Sequence, residues 1–505
     1  MDAVVEHLYR RLEEEVLEYD PDADLPRIRA AFEFANEAHR GQLRASGEPY
    51  IIHPLNTALN LADMKLPQNM IIAGLLHDVP EDTQVTIDQI REKFGEDVGK
   101  LVSGITKVGT IKYRGVERYI ENLRKMFLAM AEDVRVVVIK FADRLHNLET
   151  LGAKPAKKQY RIALESLEIY APIANRLGMG EIKGRLEDAA FPYVMPKEFE
   201  WTKNIQQIAL LKQKDYLDNV MKLTRELLKN SGLTFTDVHG RVKHLYSLYR
   251  KLLKHDRDIA GIHDIMAIRI IVPTVADCYA ALGIIHGKWT PLKGRIKDYI
   301  AQPKPNGYRS LHTTVFCEDG EIVEFQIRTE EMHSAAEFGI AAHWTYDEQK
   351  TQQQSPAGTG GPSIDWVAQL ADIQREISNR KQYLRSLEEI KIDLFKDRIF
   401  VFTPKGDVID LPEGSTPVDF AYLVHTDIGN KCTGVRINDE HASLDRPLKS
   451  GDVVEIIIDK TRKGPNADWL KFVKTRHARS KIRQYARSSI SSWISSVIPK
   501  KLLKK

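Results

Sequence analysis

The 505 residues are 43% apolar and 29% charged, a balance that excludes a disordered or fibrous chain and fits three or four folded domains. No apolar run approaches the ~20 residues of a membrane span, the N-terminus has no basic n-region or cleavage site, and Cys278, Cys317 and Cys432 are too few and too scattered for a disulfide framework or a thiolate zinc site. The expected compartment is therefore a reducing cytoplasm. The net charge of +4 hides an asymmetry, because residues 459–505 carry 14 Lys and Arg against two Asp, or +12, leaving −8 for the rest. Such a block reads equally as a contact for phosphate or an anionic surface and as a solvated basic helix.

Residues 1–195 are predicted to be almost entirely helical. Apolar positions recur at spacings of three and four, as in Ile71, Ile72, Leu75 and Leu76 or Leu123, Met126, Phe127 and Met130. More helix, rich in Lys and Leu, is predicted from about 200 to 258. The pattern then changes. IMAIRIIV (265–272) reads as a buried strand, and TTVFCEDGEIVEFQIRT (313–329) as two strands joined at Asp319-Gly320. A helix follows in EEMHSAAEFGIAAHWTY. QKTQQQSPAGTGGPS (349–363) has no apolar periodicity and reads as a linker. A helix over 364–390 leads to a strand-rich unit at 396–458, where RIFVFT and VVEIII flank a short helix at DFAYLVH, with turns at Lys405-Gly406 and Ser450-Gly451. Its size and mixture suggest a β-grasp module. No internal repeat is visible. The expected architecture is multidomain α + α/β, divided at 1–195, 196–346, 347–393, 394–459 and 460–505.

The helical half holds a set of metal-binding side chains. The His-Asp dipeptide alone says little, since His77-Asp78, His255-Asp256 and His263-Asp264 all contain it. The first has company: His53 in YIIHP, and Asp143 in FADRLHN after the apolar run VRVVVIKFA. Two imidazoles and two carboxylates at the ends of hydrophobic helices can be held rigidly around one ion. Mixed N/O ligation suits Mn2+, Fe2+ or Zn2+ without choosing between them. Pro80 is expected to stop its helix at about Val79 and leave Glu81-Asp82 as a loop beside the ion, able to orient or deprotonate a water. Singly, the same residues read as a helix-opening His53 and a structural Asp143–Arg144 ion pair.

Taken together, HP at 53–54, HDVPED at 77–82 and ADRLHN at 142–147 resemble the HD-superfamily hydrolase domain of Rel/SpoT-type (p)ppGpp enzymes. HRGQLRASGEPYIIHP (39–54) resembles the opening motif of that domain. The resemblance implies His53, His77, Asp78 and Asp143 as Mn2+ ligands and Glu81 and Asp82 as the catalytic acidic pair. It implies Arg44, Ser46, Asn147 and Thr150 as nucleotide contacts. Synthesis-only relatives lack the His-Asp and acidic-pair residues, so an active hydrolase is implied. Two departures stand out: Ala45, where many relatives carry a basic residue, and Pro80, which would stiffen the acidic segment.

The second unit presents a different chemistry. Along 322–328, Glu324, Gln326 and Arg328 alternate onto one strand face while Val323, Phe325 and Ile327 take the core face. Glu324, with Asp264 at the start of the earlier strand, could set a hard cation against a polyphosphate. A solvated sheet face with a Glu324–Arg328 pair is the plainer alternative. Upstream, KGRIKDYIAQPKPNGYRSLH (293–312) holds five cations, Lys293, Arg295, Lys297, Lys304 and Arg309, around a Pro-Asn-Gly turn, with Tyr308 able to stack on a base. The segment reads as a phosphate-binding loop, an RNA contact or an ordinary surface turn. No Walker-type glycine loop occurs in the sequence.

GRVKHLYSLYRKL (240–252), DIMAIRIIV (264–272), KPNGYRSLH and VEFQIRTEEMH (323–333) resemble the (p)ppGpp synthetase domain of the same family, a nucleotidyltransferase-like mixed-sheet fold. That resemblance implies Asp264 and Glu324 as Mg2+ ligands, with Glu324 also taking the proton of the 3′-hydroxyl. Arg241 and Arg269 would flank adenine and Tyr308 would stack on guanine. Lys243, Lys251, Lys297, Lys304, Asn306, His312 and Gln326 would line the phosphates and the acceptor. RIKD (295–298) resembles the basic form of a motif found in bifunctional members. The third unit resembles a TGS domain, a module that in this family senses the acceptor end of tRNA on the ribosome, with His425 in the contact segment. A small packing domain with a buried or satisfied histidine is the plainer reading. Of the further domains of long members, only the start of a helical region, NADWLKFVKTRHARSKIRQYAR, is recognisable. SSISSWISSVIPKKLLKK resembles nothing in the family.

The implied function is bifunctional. A pyrophosphoryl group would pass from ATP to the 3′-hydroxyl of GDP or GTP, and a second site would hydrolyse (p)ppGpp, under reciprocal control as part of a stringent response. The TGS domain and the basic tail imply contact with tRNA or the ribosome. Three rivals remain open: a hydrolase with a silent synthetase half, a phosphohydrolase for other nucleotides, and an RNA-binding regulator with vestigial chemistry.

Overall fold

The computed structural model describes residues 3–109, 125–259, 262, 264–304, 306–342, 344, 398–405, 408–449, 451–462 and 464–497. The linker at 349–363, the helix at 364–390, His263, Gly406, Ser450 and the last eight residues lie outside the described residues. The chain divides into two compact units, Met1–Gln374 and Arg375–Lys505.

The first unit begins with a helical domain: α1 (Ala3–Tyr19), α2 (Leu25–Ala38), α3 (Ile52–Asp63), α4 (Gln68–Leu76), α5 (Val79–Asp82), α6 (Ile87–Phe94), α7 (Glu96–Gly109), α8 (Val134–Glu149), α9 (Ala156–Glu165), a π-helical turn (Ser166–Tyr170), α10 (Ala171–Arg176) and α11 (Gly180–Val194). Local chemistry sets the ends. The Asp24 carboxylate caps α2, Thr86 and Gln89 form a reciprocal capping box on α6, and Gly95 at φ +91° stops α6. α4 is apolar on nearly every side, and α3, α4 and α8 are all largely buried, as helices at the centre of a domain must be.

Two expectations need correction here. α4 already ends at Leu76, and Pro80 stands in the first turn of a new helix, where its missing N–H costs nothing. Glu81 and Asp82 therefore lie on a helical turn, their amides donating to the Asp78 carbonyl at 3.1 and 3.0 Å, and not on a loop. Asp143 sits inside α8, not at its end.

The unit continues with α12 (Pro196–Asn230), β1 (Asp237–Val242), α13 (Leu245–Lys254), β2 (Met266–Val272), α14 (Val275–Lys288), β3 (Thr290–Pro291), β4 (Lys297–Asp298), β5 (Leu311–Phe316), β6 (Ile322–Thr329) and α15 (Glu330–Phe338). The sheet runs β1-β2-β6-β5-β3, with β4 also on β5. Only β2 and β6 are parallel, so the sheet is mixed. Its apolar face, including Ile268, Ile270, Phe325 and Ile327, packs against α12 and α14. β1 replaces part of the helix predicted to 258. It is an edge strand with one fully buried side chain, Val238, so it carries almost no apolar alternation. The helix predicted from 330 is interrupted at Gly339, which has φ +56° and where a Cβ would lie 2.2 Å from the Leu177 carbonyl oxygen.

In the second unit, β7 (Arg398–Phe402) pairs with β8 (Val408–Pro412). A second sheet runs β10-β9-β11, from Glu440–Ala442, Cys432–Ile437 and Val454–Ile458. α16 (Pro417–Val424), opened by a Thr416/Asp419 capping box, and α17 (Thr426–Lys431) join the two sheets, and α18 (Arg476–Val497) follows. Phe420 on α16 packs among Ile399, Val401, Leu411, Val435 and Ile437. Buried Asp419 accepts from the amides of Lys474 at 3.0 Å and Thr475 at 2.7 Å, tying the start of the basic segment to this domain. Cys278, Cys317 and Cys432 are free and buried. No helix among the described residues is long and apolar enough to cross a membrane.

Candidate metal centre and nucleotide site

Three buried helices bring His53, His77 and Asp143 together, with one candidate ligand atom from each within 4.8 Å of the others. His53 stands in the first turn of α3, His77 directly after α4, and Asp143 in the middle of α8. His53 Nε2 is 3.1 Å from Asp143 Oδ1 and 3.4 Å from Asp78 Oδ2, and His77 Nε2 is 3.1 Å from Asp78 Oδ1.

The neighbours of each ring determine its tautomer. His77 Nδ1 lies 2.7 Å from the Gly74 carbonyl, which can only accept, so the proton is on Nδ1. Buried Nε2 then has no hydrogen-bond partner. His146 Nδ1 lies 3.0 Å from the Arg44 guanidinium, which can only donate, and 2.8 Å from His53 Nδ1. His146 Nδ1 is thus an acceptor, His53 Nδ1 carries a proton, and the His53 Nε2 lone pair also faces the cluster. Burial, with His53 and Arg44, holds His146 down to about 3 and keeps it in this neutral role.

Two ring lone pairs pointing at carboxylate oxygens repel unless a cation lies between them. The donor set therefore fits a divalent metal. Burial opposes a charge on Asp143, but Lys140 Nζ at 2.7 Å from Oδ2, with His53 and His77, holds the carboxyl well below its usual range. Burial likewise opposes a charge on His77, yet Asp78 and Asp143 raise it to about 9, so a proton and a metal ion compete for Nε2.

Around the cluster, the Arg44 guanidinium also donates to Asn147 Oδ1 at 3.0 Å, and the Asn147 amide donates to Asp143. Thr150 donates to the His146 carbonyl at the end of α8. Glu81 and Asp82 are exposed on α5, and Ser46 is exposed at the tip of the turn before Gly47. Sequence reasoning assigned nothing to His146 or Lys140. The signal was available, since each stands three positions from Asp143 and shares its helix face.

The mixed sheet builds the second site. Residues paired across neighbouring strands face the same side. One row runs His239, Arg269, Gln326, His312 and Lys297, and the next runs Arg241, Ala267, Glu324 and Thr314. This face lines a cavity of about 300 Å³ with Arg241, Lys243, Asp264, Lys297, Tyr299, Lys304, Tyr308, His312, Glu324 and Gln326. Asp264 is paired with Lys243 and with Lys251 Nζ at 2.6 Å, which outweigh its burial and hold it at about 2. Glu324 is kept ionised against burial by His312 Nδ1 at 3.4 Å and the Gln326 amide at 2.9 Å. Tyr308 Oη is 2.7 Å from His312 Nε2. Lys304 Nζ lies 4.5 and 4.9 Å from the ring centres of Tyr299 and Tyr308, and burial, with Lys297, pulls it down to about 8.

Three expected contacts are not in the cavity lining, and one of them, Lys251, reaches it through Asp264. Arg269 is buried and paired with Glu337 on α15 at 2.9 Å, and Asn306 Oδ1 accepts from the Tyr308 amide. The solvated Glu324–Arg328 pair is not found: Arg328 is fully buried and bonded to Glu337 at 3.2 Å, because α15 covers that end of the strand. In the second unit His425 is exposed at the start of α17, its Nδ1 accepting from the Asp427 amide, and is not a buried packing residue.

Residues 31–180 match the HD domain, residues 240–351 the region found in RelA / SpoT proteins, and residues 399–458 the TGS domain. The chain is 46% identical over 474 residues to a GTP pyrophosphokinase of Myxococcus xanthus, covering 93% of this chain and 61% of that one. It is 48% identical over 459 residues to a guanosine-3′,5′-bis(diphosphate) 3′-pyrophosphohydrolase of Aquifex aeolicus, covering 91% and 64%. With the bifunctional (p)ppGpp synthase/hydrolase SpoT of Escherichia coli it shares 43% over 479 residues, covering 95% and 67%. The chain thus spans roughly three-fifths to two-thirds of the length of these relatives.

Proposed function

Since the chain belongs to the RelA/SpoT family of (p)ppGpp synthetases and hydrolases, we propose that it makes and breaks (p)ppGpp at two separate sites. The hydrolase occupies 1–195, the synthetase 196–346 and a TGS domain 394–459. One observation carries the reading: a single unit contains both a buried His/His/Asp cluster and a distinct basic cavity with two ionised carboxylates.

At the first site His53, His77, Asp78 and Asp143 would hold Mn2+. At the second, Asp264 and Glu324 would hold Mg2+, released from Lys243 and Lys251 as these turn to phosphate. The bound ions supply Lewis acidity, acidify water and neutralise phosphate charge. In hydrolysis, Glu81 and Asp82 take the proton of the water that attacks the phosphorus on the 3′-oxygen. That P–O bond breaks, releasing pyrophosphate and GDP or GTP. Arg44, Asn147, Ser46 and Thr150 hold the nucleotide. In synthesis, Glu324 takes the proton of the 3′-hydroxyl, whose oxygen bonds the β-phosphorus of ATP while AMP leaves. Lys297, Lys304, Asn306, His312 and Gln326 hold the phosphates and acceptor, where positioning and electrostatics carry most of the catalysis. Tyr308 offers its ring to guanine, and Arg241 and Arg269 offer their guanidinium planes to adenine.

Contact with tRNA or the ribosome is part of the reading, supported by exposed His425 and the basic charge of 459–505, and so is cytoplasmic residence. The clamp of Lys243 and Lys251 on Asp264 favours a second reading, hydrolysis with the synthetase at rest. Incubation with ppGpp and Mn2+, and separately with ATP, GDP and Mg2+, followed by anion-exchange chromatography, tests both. GDP with pyrophosphate and ppGpp with AMP are the expected products. Hydrolysis alone selects the second reading, and no turnover rejects both.

A further inference from the structure

The segment leading into α3 carries three polar side chains without a role: His39, Gln42 and Tyr50. Gln42 and Tyr50 reach α5, and His39 contacts both of them. The Gln42 side-chain amide donates to the Asp82 carbonyl at 2.9 Å, and its Oε1 accepts from His39 Nδ1 at 2.8 Å. The buried His39 ring stacks on Tyr50, with centroids 4.5 Å apart and planes 21° from parallel. The Tyr50 amide donates to the Gln42 carbonyl at 3.0 Å, which closes the segment on itself.

Held in this way, the Tyr50 hydroxyl lies 2.6 Å from Asp82 Oδ2 and 2.9 Å from Asp78 Oδ2. One phenol therefore touches a member of the acidic pair and a carboxylate of the metal cluster. Both neighbours are carboxylate oxygens, which accept, so the phenol is the donor in each contact. Asp82 needs such a partner. It is exposed on a one-turn helix, where a free carboxylate would spread over several rotamers.

We propose that Tyr50 is a positioning residue of the hydrolytic site, whose hydroxyl, shared between Asp82 and Asp78, sets the acidic pair at a fixed distance from the metal-binding carboxylate. His39 and Gln42 brace it from behind. The role rests on the hydrolase reading given above, and it acts through Asp82, not on the substrate.

Tyr50→Phe removes the hydroxyl and keeps the stacked ring. The expected result is a kcat for Mn2+-dependent ppGpp hydrolysis lowered about ten- to a hundredfold, with KM, synthesis and the thermal midpoint unchanged. In an Asp82→Asn background the same change is expected to cost no more than about twofold, because the group it positions is already disabled. Full kcat in Tyr50→Phe overturns the role, as does an undiminished loss in the Asp82→Asn background or a change confined to KM. If the unaltered protein hydrolyses no ppGpp, the hydrolase reading falls and takes this role with it. If it hydrolyses ppGpp and Tyr50→Phe does so equally well, only the role falls.

Discussion

His244 Nδ1 lies 2.9 Å from Asp188 Oδ2, and the same ring reaches Glu181 through Nε2 at 3.3 Å. Both carboxylates stand on α11, the last helix of the helical domain, whereas His244 follows Lys243, which holds Asp264 in the basic cavity. The approach is tight: a Cβ on Gly184 would fall 2.2 Å from His244 Cδ2. Burial opposes a charge on the imidazole, but the two carboxylates outweigh it and raise His244 to about 9.

A folded-state pKa above the ordinary value near 6.5 stabilises the fold fully below about pH 6.5, and the contribution is lost as pH rises through 9. Stability is therefore expected to fall between pH 6.5 and 9.5, by up to about 3 kcal/mol. Denaturant titrations across that range, repeated on His244→Gln, check this. The substitution should flatten the decline, and parallel curves would reject the link.

His146 touches the candidate metal centre through His53. Its Nδ1 accepts the proton that keeps the His53 Nε2 lone pair turned toward Asp143. His146→Ala should lower Mn2+ affinity about ten- to a hundredfold, with hydrolysis restored by excess Mn2+ and synthesis intact. Calorimetric titration with Mn2+ alone separates this from a loss of fold. Unchanged affinity would make His146 a packing residue only.

The two sites share no side chain. Asp78→Ala is expected to reduce hydrolysis by at least about a hundredfold and leave synthesis near its original rate. Glu324→Gln keeps the shape of the cavity and removes a negative charge, so it should cut synthesis by about a hundredfold or more and spare hydrolysis. Either variant losing both reactions while melting normally would refute the assignment of two sites.

How much of this was legible in the residue string varies with the element. Buried α4 announces itself by Ile71, Ile72, Leu75 and Leu76 at helical spacing, α8 by the apolar run VRVVVIKFA, and the mixed sheet by IMAIRIIV and the 313–329 hairpin. β1 was not legible, because an edge strand with one fully buried side chain leaves no alternation to read. Pro80 misled because a proline both ends helices and opens them, and only the chain path after Leu76 decides between the two. Periodicity placed Glu324 and Gln326 on one face correctly, yet Arg328 on that same face is sealed by Glu337, a partner from the following helix. Spacing alone could not join His53 to Asp143, ninety positions apart. That took the packing of α3 on α8.

Gly178 is where the helical domain meets the turn carrying Lys304 and Tyr308. It has φ +78°, and a Cβ there would lie 2.8 Å from the Asn306 carbonyl oxygen and 3.2 Å from Gly339 Cα. Both obstacles are backbone, so neither can rotate away. The turn is also closed, with the Lys304 amide donating to the Tyr308 carbonyl at 3.0 Å and the Gly307 amide to the Lys304 carbonyl at 2.9 Å. A push on Asn306 therefore carries Lys304 and Tyr308 with it. Gly178→Ala is expected to raise the KM for GDP in synthesis several-fold and to lower the thermal midpoint by a few degrees. Gly232→Ala provides the comparison. It has φ +72°, and nothing lies within 4 Å of its Cβ position. The backbone penalty is the same without the contact, so it should lower the midpoint and leave KM unchanged. If both substitutions raise KM alike, or neither does, the contact between Gly178 and Asn306 does not position the turn.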